Sequence, residues 1–285
     1  MKLSVFTVVT PDLSPEELAQ AAKEAGIEGI EWRYKEIPAE AREETPSFWR
    51  RNLCSIDPQS PEEALDRFAK AASGNGLQSI AVMPYLTPGD LEGTEKAMQA
   101  ARRLGASAIR VGVPAYDRSK NYNDLFEEEL RYLQGVEELA RQYGVKGLVE
   151  THHHTIAPSA GLAHRLVSRF HPDFIGVLLD PGNMIHEGYE NFRLGLELLG
   201  PYLAHVHVKN TGWRQGSRRE NGTQSWHAYW APVSGGIVDW KQVLADLAAA
   251  GYDGYLGLED FSGTFGSREL LRVYGEEMRS LLAGL

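Results

Sequence analysis

The sequence predicts an α/β fold, a single (β/α)8 TIM barrel that spans residues 1–285. Short runs rich in β-branched residues alternate with longer amphipathic stretches, and this alternation occurs eight times along the chain. Strands that alternate with helices indicate parallel βαβ units, and eight such units fit a closed barrel. There is no linker rich in proline, glycine or serine and no shift in composition, so we expect one domain. A doubly wound open sheet is the alternative, but it usually has fewer units, and no GxGxxG motif follows the first strand.

The predicted strands are short apolar runs rich in valine, isoleucine and leucine. They span residues 2–8, 27–33, 77–83, 107–113, 145–150, 173–180, 203–209 and 255–259.

The predicted helices are the amphipathic segments that follow these strands. They span residues 14–26, 60–73, 89–105, 123–144, 157–170, 189–200, 239–251 and 267–285. Ser14 and Ser60 each begin an SPEE motif, which offers a serine N-cap, a proline at N1 and a glutamate at N3. Gly26, Gly144 and Gly251 stand where a helix should end and a strand begin.

Two connections are long for this fold. Residues 34–60 follow the second predicted strand, and an insertion at 210–236 follows the seventh. Long loops at the carboxyl ends of barrel strands tend to carry function, so we expect both segments near the active site.

The composition is that of an ordinary soluble globular protein, with 42% hydrophobic and 24% charged residues. The formal net charge of −10 would repel a nucleic-acid backbone, and no dense basic cluster offsets it, so no nucleic-acid partner is expected. Cys54 is the only cysteine, which excludes an internal disulfide and fits a cytoplasmic protein. The apolar N-terminal run is too short for a signal peptide. No run approaches the roughly 18 residues of a membrane helix, so no membrane partner is expected.

The stretch HVHVKN, residues 205–210, places charged and apolar side chains on opposite faces of one strand. Side chains two residues apart share a face, so Val206 and Val208 oppose the polar set. That set is His205, His207 and Lys209. On other strands, too, ionisable residues near the carboxyl end lie opposite the aliphatic residues: Glu31, Arg33, Glu150, Asp180 and Glu259. In a closed barrel this face is the interior, and the carboxyl ends form the active-site mouth.

Converging carboxylates are costly unless a positive charge lies between them. Glu150, Asp180 and Glu259 together with an imidazole match a site for one divalent metal ion. This oxygen-rich set favours Mn²⁺ or Mg²⁺, with Mn²⁺ first, and leaves Co²⁺ and Zn²⁺ open. A single acid at a strand end is more often a solvated group or a helix cap, but the same placement on four strands is not expected by chance. His205 lies one layer deeper and is interpreted as an interior histidine.

The order of the motifs GLVE, LLDPGN, HVHVK and GLED resembles the xylose-isomerase-like TIM-barrel superfamily. Within it, the chain is most similar to the sugar phosphate isomerase/epimerase group, which includes ketose 3-epimerases and inosose dehydratase. The resemblance covers essentially the whole chain. It implies that Glu150, Asp180, His207 and Glu259 bind one divalent metal. It also implies that Glu150 and Glu259 form a catalytic acid/base pair on opposite faces of the substrate.

The chain departs from the ketose 3-epimerase pattern at three points. Asn183 stands where many epimerases have a histidine, and Asn210 ends the usual HxKD motif. The partner of the first catalytic glutamate is not evident in THHHTI, residues 151–156.

The implied function is that of a divalent-metal-dependent sugar isomerase or epimerase. A metal bound to a substrate carbonyl and an adjacent hydroxyl acidifies the neighbouring carbon-bound proton and stabilises an enediolate. Loss of a β-hydroxyl would instead give a dehydratase or lyase acting on a keto-cyclitol or keto-glycoside. A non-catalytic carbohydrate-binding barrel is the third hypothesis. No phosphate loop is visible, so a free sugar, cyclitol or glycoside is the expected small-molecule partner, and homo-oligomer formation is left open.

Substrate contacts are expected from polar and aromatic residues around the mouth. The expected residues are Glu31, Arg33, His152, Asn183, Lys209, Trp213 and Arg214. The 210–236 insertion also contains Trp226 and Trp230, and aromatic faces suit the C–H faces of sugars. We predict that it covers the substrate, with Trp213 or Arg214 nearest the ligand; a local mini-core or a subunit contact is the alternative. His153 and His154 are interpreted as loop or surface residues.

Overall fold

The computed structural model describes residues 1–285 and shows a closed barrel of eight parallel strands. The chain contains the strands β1 (Lys2–Phe6), β2 (Gly29–Tyr34), β3 (Ser55–Ile56), β4 (Gln78–Pro84), β5 (Ala108–Arg110), β6 (Lys146–Glu150), β7 (Ile175–Leu179), β8 (Leu203–Val208), β9 (Asn210–Arg218), β10 (Gln224–Ala231) and β11 (Tyr255–Leu258). The barrel follows the order β1, β2, β4, β5, β6, β7, β8, β11, and β11 pairs with β1 to close it. This confirms the predicted (β/α)8 fold.

Nine α-helices accompany the strands. They are α1 (Pro15–Glu24), α2 (Glu62–Gly74), α3 (Leu91–Leu104), α4 (Tyr122–Tyr143), α5 (Ala160–Val167), α6 (Pro181–Glu187), α7 (Phe192–Leu199), α8 (Trp240–Ala249) and α9 (Ser267–Leu282).

The two SPEE motifs behave differently. The Ser14 hydroxyl accepts a hydrogen bond from the Glu17 backbone, and the Glu17 carboxylate accepts one from the Ser14 backbone, which forms the predicted capping box. At the second motif α2 begins one residue later, with Pro61 as the N-cap, so the prediction of a Ser60 cap was wrong.

Two segments contain more structure than the sequence analysis predicted. The 210–236 insertion begins with an antiparallel hairpin of β9 and β10. The helix α6 starts directly after β7, where Asp180 accepts a hydrogen bond from the Asn183 backbone and Pro181 occupies the first turn. An aspartate N-cap followed by proline is a strong helix start, and this signal was present in the DPGN motif.

The aliphatic faces of the barrel strands pack against the surrounding helices. Val177, Val206 and Leu258 are completely buried within one connected cluster of 70 buried residues. Burying each such side chain stabilises the fold by about 1.5–3 kcal/mol. The opposite faces of the same strands are left for the barrel interior. No helix combines the length and the apolar character needed to cross a membrane.

The carboxyl ends of four consecutive barrel strands bring the predicted ligands to one level. Glu150 is the last residue of β6, and Asp180 directly follows β7. His207 lies one residue before the end of β8, and Glu259 directly follows β11.

Candidate metal centre

Four side chains converge at the carboxyl end of the barrel. One potential ligand atom from each of Glu150, Asp180, His207 and Glu259 lies within 4.8 Å of the other three. All four residues are buried. The sequence predicted this set, and the fold brings its members together.

The imidazole of His207 faces the three carboxylates with its Nδ1 atom. Nδ1 lies 3.7 Å from Glu150 Oε1, 3.9 Å from Asp180 Oδ2 and 3.5 Å from Glu259 Oε2. Nδ1 is buried and has no hydrogen-bond partner. A buried imidazole nitrogen without a partner is costly unless it binds something. Together with three carboxylates it forms a donor set that fits a single divalent cation.

Beneath the centre, Glu31 holds the other side of the same imidazole. Glu31 Oε2 lies 2.8 Å from His207 Nε2, and its Oε1 lies 3.0 Å from His205 Nε2. The Ser4 hydroxyl donates to Glu31 Oε1 at 2.9 Å. A carboxylate on the far nitrogen fixes the tautomer and orientation of a metal-binding histidine. His205 is an interior residue, as interpreted from the sequence.

Lys209 and Asn183 connect the carboxylates above the centre. Lys209 Nζ lies 3.1 Å from Asp180 Oδ2 and also contacts Glu259 Oε2. Asn183 Nδ2 donates to Asp180 Oδ2 at 2.9 Å and to Glu150 Oε1 at 3.3 Å. Asn183 Oδ1 accepts from Lys209 Nζ at 3.2 Å. Asn183, which replaces the histidine of many epimerases, therefore orders the carboxylates.

Arg110 is a site residue that the sequence analysis missed. Its Nη1 donates to Glu150 Oε2 at 2.8 Å, and its Nη2 donates to the Pro84 carbonyl at 3.3 Å. The available signal was a single charge between Ile109 and Val111 in an otherwise apolar predicted strand. A charged residue flanked by buried aliphatics must face the interior or a partner.

The crowding of like charges shifts the acid strength of the ligands in different directions. Burial, assisted by Glu259 and Glu150 and opposed by Lys209, raises the pKa of Asp180 to about 7. Burial also disfavours ionised Glu259, but Lys209 and His207 hold its pKa at about 2. Burial acts against ionised Glu150 in the same way, but Arg110 lowers the pKa of Glu150 well below its usual value. Two of the three acids are thus held as carboxylates by neighbouring cations.

A cavity of about 430 Å³ opens from this centre toward solvent. Its wall includes the acids Glu150 and Glu259. The rest of the wall is mostly aromatic and basic, with Trp49, Tyr85, Arg110, His152, His153, Lys209, Trp230 and Phe261. Aromatic faces combined with a few charged donors form a pocket suited to a small polar ring.

Of the residues predicted to contact substrate, His152 and Lys209 line this cavity. Glu31 and Asn183 are buried behind the ligands, where their polar atoms bind other site residues. Arg33 is also completely buried. Its guanidinium donates to the Ser55 hydroxyl and the Trp49 carbonyl.

The insertion reaches the cavity through a different residue from those predicted. Trp230 lines the cavity, and its ring lies 4.8 Å from Lys209 Nζ. Trp213 instead donates to the Ile185 carbonyl at 3.2 Å, and Arg214 lies over the Tyr229 ring; neither lines the cavity. Trp230, rather than the predicted Trp213 or Arg214, is therefore the residue of the insertion that lines the cavity.

The three consecutive histidines take different positions. His153 lines the cavity, stacks on His186 with ring centroids 4.2 Å apart, and lies 3.2 Å from Asn183 Oδ1. His153 thus lies in a loop, as interpreted from the sequence, but it faces the cavity rather than the outer surface. His154 is exposed, contacts Glu187, and has a backbone φ of 59°. Adjacent side chains of a strand point to opposite faces. His152 and His153 can both line the cavity because the chain turns after the end of β6.

Comparison with known proteins places these features in a family. A family model described as xylose isomerase-like TIM barrel matches residues 19–283. The chain belongs to this family. The resemblance stated from the motifs is confirmed at this level.

Similar proteins include enzymes that act on sugars and cyclitols. The inosose dehydratase of Geobacillus thermodenitrificans (strain NG80-2) is 24% identical over 233 residues, which are 72% of this chain and 76% of that protein. The apo structure of 3-keto-D-glucoside 4-epimerase from E. coli matches with a TM-score of 0.68 at 17% identity, covering 99% of both chains. The IOLI protein with a bound zinc atom matches with a TM-score of 0.74 at 15% identity, covering 100% of this chain and 99% of that one. At these identities the solved structures demonstrate the shared fold.

Proposed function

We propose that this protein is a divalent-metal-dependent sugar isomerase or epimerase that transfers a proton at the carbon next to a carbonyl. The observation that carries this proposal is the buried His207 Nδ1, which lacks a partner and faces three carboxylates at the barrel mouth.

Glu150, Asp180, His207 and Glu259 would hold the ion. Three carboxylates and one imidazole favour Mn²⁺, since hard oxygen donors suit Mn²⁺ and Mg²⁺ better than they suit a thiolate-type zinc site. When bound, the ion would polarise a substrate carbonyl, acidify the adjacent C–H bond and stabilise the charge that develops on oxygen.

Glu150 and Glu259 are suited to move the proton. Two strands, β7 and β8, separate β6 from β11 in the barrel, so these carboxylates approach the centre from different sides. Both line the cavity, which gives them access to a bound ring. One carboxylate accepts the carbon-bound proton, and the other takes up a proton from solvent and delivers it to the opposite face. Return to the same carbon gives an epimer, and delivery to the neighbouring carbon gives an isomer.

Dehydration is the second candidate, and the similarity to inosose dehydratase favours it. The same first step, removal of the proton next to a carbonyl, leads to dehydration when a β-hydroxyl leaves as water. The donor set serves both outcomes, and the position of the substrate hydroxyls over the two glutamates decides between them.

The proposal is tested by metal analysis and by turnover in D₂O. The Mn²⁺-loaded protein is incubated with a panel of ketoses, keto-cyclitols and keto-glycosides, and products are analysed by NMR and mass spectrometry. We expect deuterium on the carbon beside the carbonyl in an epimer or isomer, whereas a product lighter by one water identifies a dehydratase. Glu150→Gln and Glu259→Gln should each lower kcat by about 10²-fold or more, the usual contribution of an acid or base.

Glu127→Gln is the matched control, because Glu127 is an exposed acid on α4. Bound metal is measured in every variant, so a loss of the ion is distinguished from a loss of the proton-transfer group. A protein that binds no divalent ion, or glutamine variants with unchanged kcat, would rule the proposal out.

A further inference from the structure

Three cationic side chains surround one aromatic ring in the cavity wall. The Tyr85 ring centroid lies 5.5 Å from Arg33 Cζ, 4.7 Å from Lys35 Nζ and 5.0 Å from Arg110 Cζ. Tyr85 and Arg110 line the cavity. This concentration of positive charge occurs in a chain whose formal net charge is −10. We refer to Arg33, Lys35 and Arg110 as the Tyr85 cluster.

Arg33 is the most unusual member because it is buried without an acidic partner. Arg33 is completely inaccessible to solvent, and the hydrogen-bond partners of its guanidinium are neutral. Its terminal nitrogens donate to the Ser55 hydroxyl at 2.6 Å and to the Trp49 carbonyl at 3.0 Å, and its buried Nε has no partner. These bonds anchor the 34–60 segment, but neutral acceptors leave the charge uncompensated. A buried charge of this kind is costly unless an opposite charge approaches it.

The position of Arg33 directs this charge toward the mouth. Arg33 follows Glu31 by two residues on β2, so the two side chains share the interior face. Glu31 lies beneath His207, and Arg33 is therefore one layer nearer the carboxyl end. Trp49, whose carbonyl binds Arg33, lines the cavity.

The carboxylates of the metal centre neutralise only one member of the Tyr85 cluster, Arg110. The centre contains four buried carboxylates, those of Glu31, Glu150, Asp180 and Glu259. If the proposed function holds, a divalent ion together with Lys209 and Arg110 matches these four charges. Arg33 and Lys35 then remain without a matching carboxylate of the centre, and both contact the Tyr85 ring, which lines the cavity.

We propose that the Tyr85 side of the cavity binds an oxyanion group of the substrate, a carboxylate or a phosphate. This inference rests on the proposed function and specifies its substrate class as an acidic sugar or cyclitol derivative. The reacting carbonyl end lies over the metal centre, and the anionic substituent lies toward Tyr85. The guanidinium of Arg110 joins the two regions, since it contacts Glu150 on one side and the Tyr85 ring on the other. Planar guanidinium groups suit both carboxylate and phosphate oxygens.

The environment of Lys35 agrees with this proposal. Burial, followed by the nearby Arg33 guanidinium, lowers the pKa of Lys35, so the two cations are close enough to repel each other. Glu36 opposes this shift but does not form an ion pair with Lys35. A bound oxyanion would relieve this repulsion.

The test compares probes that share one ring and differ in charge. Binding of D-glucose, D-glucuronate and D-glucose 6-phosphate to the Mn²⁺-loaded protein is measured by isothermal titration calorimetry. We expect at least one acidic probe to bind about tenfold or more tightly than glucose, and the comparison of the two identifies the oxyanion. Lys35→Met and Arg33→Met should each remove most of this advantage while leaving the Kd for Mn²⁺ within about twofold.

Lys70→Met is the charge-matched control, because Lys70 is an exposed cation on α2. If Arg33→Met fails to fold, Lys35→Met, at a half-buried position, provides the same comparison. Acidic probes that bind no more tightly than glucose to the metal-loaded protein would overturn the anion site while leaving the proposed function intact. An advantage that persists in Lys35→Met, or that Lys70→Met also removes, would equally overturn it. A protein that binds no metal would instead refute the proposed function.

Discussion

Glu31 shows how one buried carboxylate organises the centre from below. It contacts His205 and His207 through separate oxygens, and no other acid reaches His207 Nε2. Its burial depends on Gly257, where a Cβ atom would lie 2.1 Å from Glu31 Oε1. Glu31 therefore acts as a positioning residue for His207 rather than as a direct substrate contact.

Replacing Glu31 should weaken metal binding without removing a ligand. In Glu31→Gln, a neutral amide replaces the charged partner of both imidazoles, so His207 is less firmly oriented. The Kd for Mn²⁺ should rise by about 10- to 100-fold, as found for residues that orient metal-binding histidines. Calorimetric titration with Mn²⁺ provides the measurement, and Glu28→Gln, at an exposed position in the same segment, is the control. Equal Mn²⁺ affinity in the wild type and Glu31→Gln would contradict this role.

At the scale of elements, the β9–β10 hairpin brings an aromatic wall to the cavity. Trp230 lies near the end of β10, where it pairs with Thr211 at the start of β9. Its ring approaches Lys209, Phe261 and His153. Trp226, four residues earlier on the same strand, is 54% exposed and does not line the cavity. The base of the hairpin thus forms part of the cavity wall, and its far end is exposed to solvent.

This arrangement predicts different effects for two tryptophans of one strand. Trp230→Ala should lower kcat/KM about tenfold or more for the substrate identified by the turnover panel, because a stacking face and the cover over Lys209 are lost. Trp226→Ala should leave kcat/KM within about twofold. Metal content and oligomeric mass are measured in parallel. A change in mass with unaltered kcat/KM in both variants would assign the hairpin to a subunit contact.

Helix α4 carries a buried acid that does not belong to the metal centre, Glu129. Glu129 is 1% exposed, and neither carboxylate oxygen has a hydrogen-bond partner. Burial raises the pKa of Glu129 from 4.5 to about 8. Because the folded-state pKa is raised, the stability of the folded protein is highest below pH 4.5 with respect to this group. It falls as the pH rises toward 8.

Glu129→Gln removes this dependence on pH. The stability of the variant relative to the wild type should increase by ~3 kcal/mol between pH 5 and pH 8, because an ionisable group no longer has to remain protonated. The buried amide adds an unfavourable free energy that is independent of pH. The change with pH in the stability difference between the variant and the wild type is therefore the informative quantity. Denaturant unfolding at both pH values measures it, with Glu127→Gln as the exposed control on the same helix. Parallel pH profiles for the wild type and Glu129→Gln would show that Glu129 ionises normally.

At the scale of the whole molecule, the proposed metal joins four strands of the closed barrel. In its absence, the repulsion among the three carboxylate ligands opposes folding, and Lys209 and Arg110 offset only part of it. Metal binding to the folded state alone should therefore stabilise the entire barrel.

Thermal unfolding measures this linkage directly. At a Mn²⁺ concentration 100 times the Kd, the free energy of unfolding should rise by ~2.7 kcal/mol. For a chain of 285 residues the corresponding increase in Tm is about 5 °C. EDTA should reverse the shift, and His207→Ala should show none. An equal Mn²⁺-dependent shift in the wild type and His207→Ala would place the bound ion elsewhere.

The sequence by itself determined the barrel and the residues of the candidate centre. Alternating strands and helices have distinct periodicities, so their number and order are readable from local patterns. The period of two in a strand placed Glu150, Asp180, His207 and Glu259 on interior faces before any contact was known. The capping box at Ser14 and the left-handed C-cap at Gly144 could also be predicted from the sequence, because each depends on a few adjacent residues.

Only the tertiary structure decided which polar groups pair within that interior. The position of Glu31 beneath His207 depends on contact between residues 176 positions apart, and the Arg110–Glu150 pair spans 40. The choice of Trp230 over Trp213 depended on the hairpin register, which sets the direction of every side chain along both strands. Local patterns specify the face of a side chain, whereas its partner is fixed by how distant segments pack, and that information is not contained in any short stretch.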